Sequence, residues 1–274
     1  MPELPDLEVI REVLTSRLVG ATIASVEVRR PIIVRDLTGL TDLSAQLVGK
    51  HFTGVARRGK FLLLGLDGGL TLVINPMLAG RLRLDAPSDK DRKRDALVLG
   101  LEDGRELRYN DVADMGKIYL THDLDAVPAF AGQGPDADDL ALTLEVFRER
   151  LKRHHGEIKS ILTNQEFIAG IGNAYADEIL WCAQIYPFRR RASLGPDEIA
   201  RLYGCLQAVP AKAIETLQER VGERIDVEVR DFLAVHNRPG EPCPRCGSTI
   251  SEVKREKRAT NFCRVCQPGL MIGN

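Results

Sequence analysis

Apolar Leu7, Val9, Ile10, Val13, Leu14 and Leu18 fall at helical spacing over residues 5–18 (PDLEVIREVLTSRL). The pattern then changes. Short apolar runs (ATIASVEVRR, KFLLLGL, LTLVI, ALVLGLE and ELRYN) follow one another, broken by Gly, Asp and Pro. Such runs predict β-strands in an antiparallel sandwich or barrel. Residues 129–140 (AFAGQGPDADDL) concentrate Gly, Pro and Asp and read as a linker. From Thr143 to about Thr216 the spacing is helical again: TLEVFRERLKRHH, EIKSILT, a Gly-interrupted stretch, ADEILWCAQI, then a helix opening near Pro196. A cysteine-rich module begins near Asn237, and no internal repeat or low-complexity tract is present. The expected architecture is α+β and multidomain: a β domain over 1–130, a linker over 131–142, a helical domain over 143–236 and a cysteine module over 237–268.

Composition narrows the class. The length of 274 residues suits two domains better than one. With 44% hydrophobic and 28% charged residues, wholesale disorder and collagen-like repetition are excluded. No apolar stretch approaches the roughly 20 residues of a membrane helix. The N-terminal MPELPDLEVIREVL lacks the basic-then-apolar order of a secretory signal. The expectation is a soluble intracellular protein without a membrane partner. The net charge of −1 argues against a polyanion partner only until it is resolved along the chain. Residues 1–130 carry −1, 131–142 carry −3, 143–234 carry −1 and 235–274 carry +4. A basic C-terminal module inside a neutral chain permits nucleic-acid binding.

Cys243-Pro-Arg-Cys246 and Cys263-Arg-Val-Cys266 form two C-x-x-C pairs separated by 16 residues. In an intracellular chain this spacing points to a metal rather than to disulfides. Four thiolates suit one tetrahedral Zn²⁺ with every position filled, a structural and not a catalytic site. Cys182 and Cys205 stand alone in helical sequence and read as buried core residues. Between the pairs, Lys254, Arg255, Lys257 and Arg258 would lie on a metal-stiffened hairpin, either as phosphate contacts or as a solvated charged face.

Other signals are individually weak. Gly170-Ile-Gly172-Asn173 precedes a helix, so backbone N–H groups and the Asn173 side chain, at the expected N-cap, could meet an anion; taken alone, the motif reads more readily as tight helix packing. Arg189-Arg190-Arg191 reads as a charge run. Lys60, opening a strand after Arg57-Arg58-Gly59, is a surface charge or a cation aimed at phosphate. Methionine before proline is normally removed, which would leave Pro2 with a free secondary amine. Such an amine, with the α-amino pKa of about 7.7–8.0, keeps an unprotonated fraction of roughly a tenth at neutral pH and can attack a sugar carbon. Glu3 beside it could move protons.

In combination these items resemble one family. Met-Pro2-Glu3-Leu-Pro5, Lys60 in RRGKFLLL, Gly170-Ile-Gly172-Asn173-Ala-Tyr-Ala, and Arg258-Ala-Thr before Cys263-x-x-Cys266-Gln267 occur in the order of the formamidopyrimidine-DNA glycosylase/endonuclease VIII family, from Pro2 to Gln267. The resemblance implies an N-terminal β-sandwich with a flanking helix, a helix–two-turn–helix domain and a C-terminal four-cysteine zinc finger. It implies a monomeric, cytoplasmic, nucleoid-associated repair enzyme of bacterial type that acts on damaged double-stranded DNA. The implied activity is that of a bifunctional glycosylase and abasic-site lyase. By position, Pro2 is the nucleophile, Glu3 the proton carrier and Asp6 a shortened counterpart of a family Glu. Lys60, Lys159, Asn173 and Arg258 hold phosphates. Met77 and Met115 fill the space left by the everted nucleotide. The eversion fits the general need to unstack a base before its sugar is reached.

Two departures bear on specificity. An Arg-x-Phe site of the family falls on Ala113-Asp114-Met115, and Ala113 cannot make the hydrogen bonds that Arg makes to an orphaned cytosine. The stretch DFLAVHNRPGEPC (231–243) lacks the longer insertion that caps a flipped 8-oxoguanine. A weakened preference for 8-oxoguanine opposite C is therefore expected. The rival readings are a non-catalytic zinc-dependent DNA-binding protein on the same scaffold and an enzyme of single-stranded or cross-linked DNA.

Overall fold

The structure, a computed structural model, describes every residue except 41, 87, 90–92, 256–257 and 270–274, so Lys257 lies outside the described residues. It divides into two compact units. The first comprises Met1–Gly132 and Thr216–Val229, the second Gln133–Glu215 and Arg230–Asn274.

In the first unit α1 (Leu4–Leu18) is followed by β1 (Ile23–Val28), β2 (Val34–Asp36), the short α2 (Leu43–Leu47) and β3 (Phe52–Arg58). Next come β4 (Phe61–Leu66), β5 (Thr71–Asn75), β6 (Gly80–Asp85), β7 (Asp95–Leu101), β8 (Glu106–Asp111) and β9 (Lys117–Thr121). They form a four-stranded sheet, β1-β7-β8-β6, and a five-stranded sheet, β2-β9-β5-β4-β3. Both contribute to one core, among them Phe52, Leu62, Leu72, Leu97, Leu107 and Tyr109, and α1 adds Leu7, Ile10, Leu14 and Leu18. The helix is also held to β3 by an ion pair of 2.9 Å between Glu8 and the buried Arg57 side chain. The all-antiparallel expectation needs one correction, since β2 runs parallel to β9. The long connection between them permits this, whereas a short hairpin could not.

In the second unit α3 (Leu144–Lys152), α4 (Ile158–Leu162), α5 (Asn173–Cys182) and α6 (Pro196–Val221, of which residues up to Glu215 count here) precede the hairpin β10 (Ile250–Arg255) and β11 (Arg258–Cys263). Cys182 and Cys205 are not the separate core thiols expected from their isolation. They form a disulfide with Cα atoms 5.9 Å apart, tying the end of α5 to α6. The packing of the two helices brings together cysteines 23 residues apart, which one-dimensional spacing cannot reveal. Among the described residues no helix is long and apolar enough to cross a membrane.

Candidate active site and zinc hairpin

In the first unit the site begins at the head of α1. Glu3 is the N-cap, only 2% exposed. Its carboxylate accepts the Asp6 backbone N–H while Asp6 Oδ2 accepts the Glu3 N–H at 2.8 Å. This reciprocal capping box ties down the Glu3 side chain and its backbone N–H at the residue that follows Pro2. It also explains why the shorter Asp6 serves: at N3 the reach back to the cap is short, so Asp6 acts by positioning Glu3. Lys60 occupies the second place of a two-residue turn, because Arg58 pairs with Phe61; Gly59 takes φ +55° at the first place, where glycine is favoured.

Two further loops belong together. Gly80 pairs with Asp111 at the end of β6 and β8, so the loop 76–79 carrying Met77 and the loop 112–116 carrying Met115 leave the same sheet end. Asp111 shapes the second loop by accepting the Ala113 N–H at 2.9 Å and the Gly116 N–H at 2.6 Å. Asp114 is paired with Arg30 and, at 2.9 Å, with Arg94. The loops expose Leu78, Val112 and Met115 to solvent. The structure thus presents Met77 and Met115 on neighbouring loops and adds Leu78 and Val112, which sequence reasoning misses because they lie outside any periodic run.

In the second unit Asn173 is not the cap of α5. Gly172 is, and the Asn173 amide donates to the Ala259 carbonyl of β11 at 2.9 Å. The Gly-rich approach is shaped by Gln165, whose amide donates to Thr163 O and Ile171 O and accepts the Gly170 N–H. Lys159 also differs from a bare phosphate ligand. It is 7% exposed, lies 2.6 Å from Asp177 and donates to Thr260 Oγ1 at 2.8 Å. Asp177, fully buried, further meets His236 Nδ1 at 2.8 Å and accepts the Asn261 N–H at 3.2 Å. Glu178 accepts the N–H groups of Ala234, Val235 and His236, and burial raises its carboxyl above the usual range despite them. The ADEIL segment therefore carries one carboxylate, Asp177, that anchors the hairpin and another, Glu178, that anchors the segment 234–236 before it, roles invisible in its helical periodicity. Lys159, Asn173 and Arg258 line one cavity of about 280 Å³ together with Arg255 and Thr260. Arg255 is paired with Glu157 at 3.0 Å, while the exposed Arg258 side chain has no protein partner among the described residues.

The four cysteine sulfurs lie within 4.8 Å of one another, with Cys246–Cys263 at 3.4 Å and Cys243–Cys266 at 3.8 Å. A Zn–S length of about 2.3 Å gives a tetrahedral edge of about 3.8 Å, so the donor set and spacing fit one zinc. The Trp181 indole N–H donates to Cys243 Sγ at 3.4 Å. Hydrogen bonds from Ser248 lower the Cys246 thiol to about 6, and burial raises Cys266 to about 12. A bound zinc would hold all four as thiolates and close the fold of the hairpin.

Fold and site together define a two-unit protein with a β-sandwich, a helical unit and a zinc hairpin built on four cysteines. Three family descriptions match in succession: the formamidopyrimidine-DNA glycosylase N-terminal domain over residues 1–118, its H2TH domain over 133–224, and a zinc finger found in FPG and IleRS over 240–269. The formamidopyrimidine-DNA glycosylase of Pelotomaculum thermopropionicum is 36% identical, covering 97% of this chain and 99% of its own length. Among solved structures, Lactococcus lactis Fpg in complex with abasic-site DNA has a TM-score of 0.88 at 32% identity, covering 97% of this chain and 100% of its own. MutM in complex with DNA containing carbocyclic 8-oxo-G is equally similar, with a TM-score of 0.88, 32% identity and 98% and 100% coverage. The chain belongs to the formamidopyrimidine-DNA glycosylase family.

Proposed function

We propose that the protein is a base-excision-repair DNA glycosylase that also cleaves the strand as an abasic-site lyase, with reduced preference for 8-oxoguanine opposite C. The observation that carries this reading is the head of α1, where Pro2 precedes a buried Glu3 locked by the Asp6 capping box. Once Met1 is removed, the Pro2 nitrogen attacks C1′ of an everted nucleotide. The C1′–N bond to proline forms as the glycosidic bond breaks, and the base leaves with that electron pair and a proton. Glu3 protonates the ring oxygen as the sugar opens, and the nitrogen lone pair completes the iminium. Proton loss from C2′ then expels the 3′ phosphate by β-elimination, and a second elimination releases the 5′ phosphate.

Lys60, Asn173 and Arg258 hold backbone phosphates, contacts that position the strand without reading its sequence. Lys159 serves the same phosphates from a site already neutralised by Asp177, so its first task is to set the hairpin. Met77 and Met115 enter the duplex as apolar wedges. With Ala113 in place of an arginine, they do so without specifying the opposite base. The protein acts as a monomer on damaged double-stranded DNA in the bacterial cytoplasm, at the nucleoid.

Borohydride trapping on abasic-site DNA tests the chemistry. Wild type should give a covalent adduct and Pro2→Gly none. Loss of trapping in wild type, with zinc present and DNA bound, would leave the non-catalytic binder. A lesion panel tests specificity: 8-oxoguanine opposite C should be excised more slowly than oxidised pyrimidines or ring-opened purines. Equal rates would overturn that part.

A further inference from the structure

A second cavity in the helical and zinc unit, of about 510 Å³, is lined by Tyr186, Phe188 and Phe262 with Arg190 and Arg264. The three rings pack edge to face, with centroids 5.3–6.0 Å apart, and supply an aromatic floor. Arg190 is exposed and its side chain has no partner among the described residues. Arg264, also exposed, donates its Nε to Ser251 Oγ at 3.0 Å and lies 6.0 Å from the Phe262 ring centre. A third arginine, Arg189, is neutralised by Glu198. Among the described residues that line the cavity there is no carboxylate. Aromatic rings beneath uncompensated cations suit a ligand that is planar and aromatic on one side and anionic on the other. Phe188 also lines the cavity of Lys159, Asn173 and Arg258. On its ring stacks Arg255, with the guanidinium carbon 4.2 Å from the centroid. The two cavities therefore meet at one aromatic side chain.

We propose that this second cavity takes an unpaired nucleotide of a DNA strand, its base on the aromatic floor and its phosphate between Arg190 and Arg264. The inference rests on the DNA-binding part of the proposed function. It extends the contact from the phosphates of the duplex to a displaced or single-stranded neighbour. A repair enzyme so equipped would favour lesions beside a flap, gap or fork.

Fluorescence anisotropy with the full-length zinc-loaded protein tests this. Two abasic-site duplexes are compared, one blunt and one with an unpaired oligothymidine tail of about eight nucleotides. The tail should tighten binding about fivefold or more, as expected for one stacked base with its phosphate. Tyr186→Ala and Arg190→Ala should each abolish that gain and leave blunt-duplex affinity unchanged; the exposed Arg190 provides the variant that does not disturb packing. Thymidine monophosphate should compete for the gain, whereas inorganic phosphate at the same concentration should not. No gain in wild type, or the same gain in both variants, overturns the proposal. Failure to bind the blunt duplex at all would instead sink the proposed function.

Discussion

Tyr109 shows how one side chain constrains two loops. A Cβ built on Gly80 or on Gly116 would overlap its hydroxyl oxygen. Neither glycine can be replaced without moving a ring that is 1% exposed. Gly116→Ala should destabilise the protein by about 2 kcal/mol, the cost of overpacking a filled site, read as a lower urea midpoint. The Tyr109 hydroxyl itself has no hydrogen-bond partner among the described residues, and burial pushes its pKa up. Tyr109→Phe should therefore be neutral or stabilising by up to about 1 kcal/mol, because it removes an unsatisfied buried group. Glu8 gives a pH signature. Burial raises its carboxyl, but Arg57 and Arg11 outweigh this and leave it below its ordinary value of 4.5. A depressed carboxylate stabilises the fold above its unfolded pKa and loses that contribution as pH falls through the folded one. Unfolding free energy should thus decline below about pH 4.5, and Glu8→Gln should flatten the slope there.

At the scale of elements, the strand β6, GRLRLD, alternates apolar and charged positions, and the alternation alone puts its arginines on a solvent face. Arg83 is buried nonetheless, with ion pairs of 2.5 Å to Asp95 and 2.6 Å to Asp85; Arg108 of β8 is buried against Glu106 at 2.6 Å. Charges buried in pairs defeat a reading that assigns every charge to water. The Cys182–Cys205 bond has a similar lesson, and it can be tested. Cys205→Ser should cost about 3 kcal/mol for a closed loop of this size. Reduction should lower the melting temperature of wild type and leave the variant unchanged. The zinc hairpin has a different dependence. Stripping the metal should unfold β10 and β11, whose small core is built around Cys243, Cys263 and Cys266, and should abolish DNA binding; restored zinc should return it. The α1 unit, with its separate core, should keep its melting transition.

For the whole molecule, a net charge of −1 coexists with a module of +4, so affinity for DNA should depend on salt more than the total charge suggests. Arg258→Ala should weaken binding to all sequences alike and lower the salt slope by about one, measured by anisotropy over a series of salt concentrations. An unchanged slope would remove Arg258 from the phosphate contacts. Whatever is local or of fixed spacing can be read from the amino-acid order alone. The amphipathic α1, the apolar runs that became β4 and β5, the two C-x-x-C pairs and the ordered motifs at Pro2, Lys60, Asn173 and Arg258 all belong here. Periodicity, ligand spacing and motif order are properties of neighbouring residues and survive without a fold. Pairings between distant positions are of another kind. The parallel β2–β9 edge, the disulfide, the Asn173 contact to Ala259 and the neutralisation of Lys159 by Asp177 are each fixed by which elements pack together. A residue that reads as a surface cation or a lone thiol acquires its partner only when a second element, distant in the chain, is brought against it.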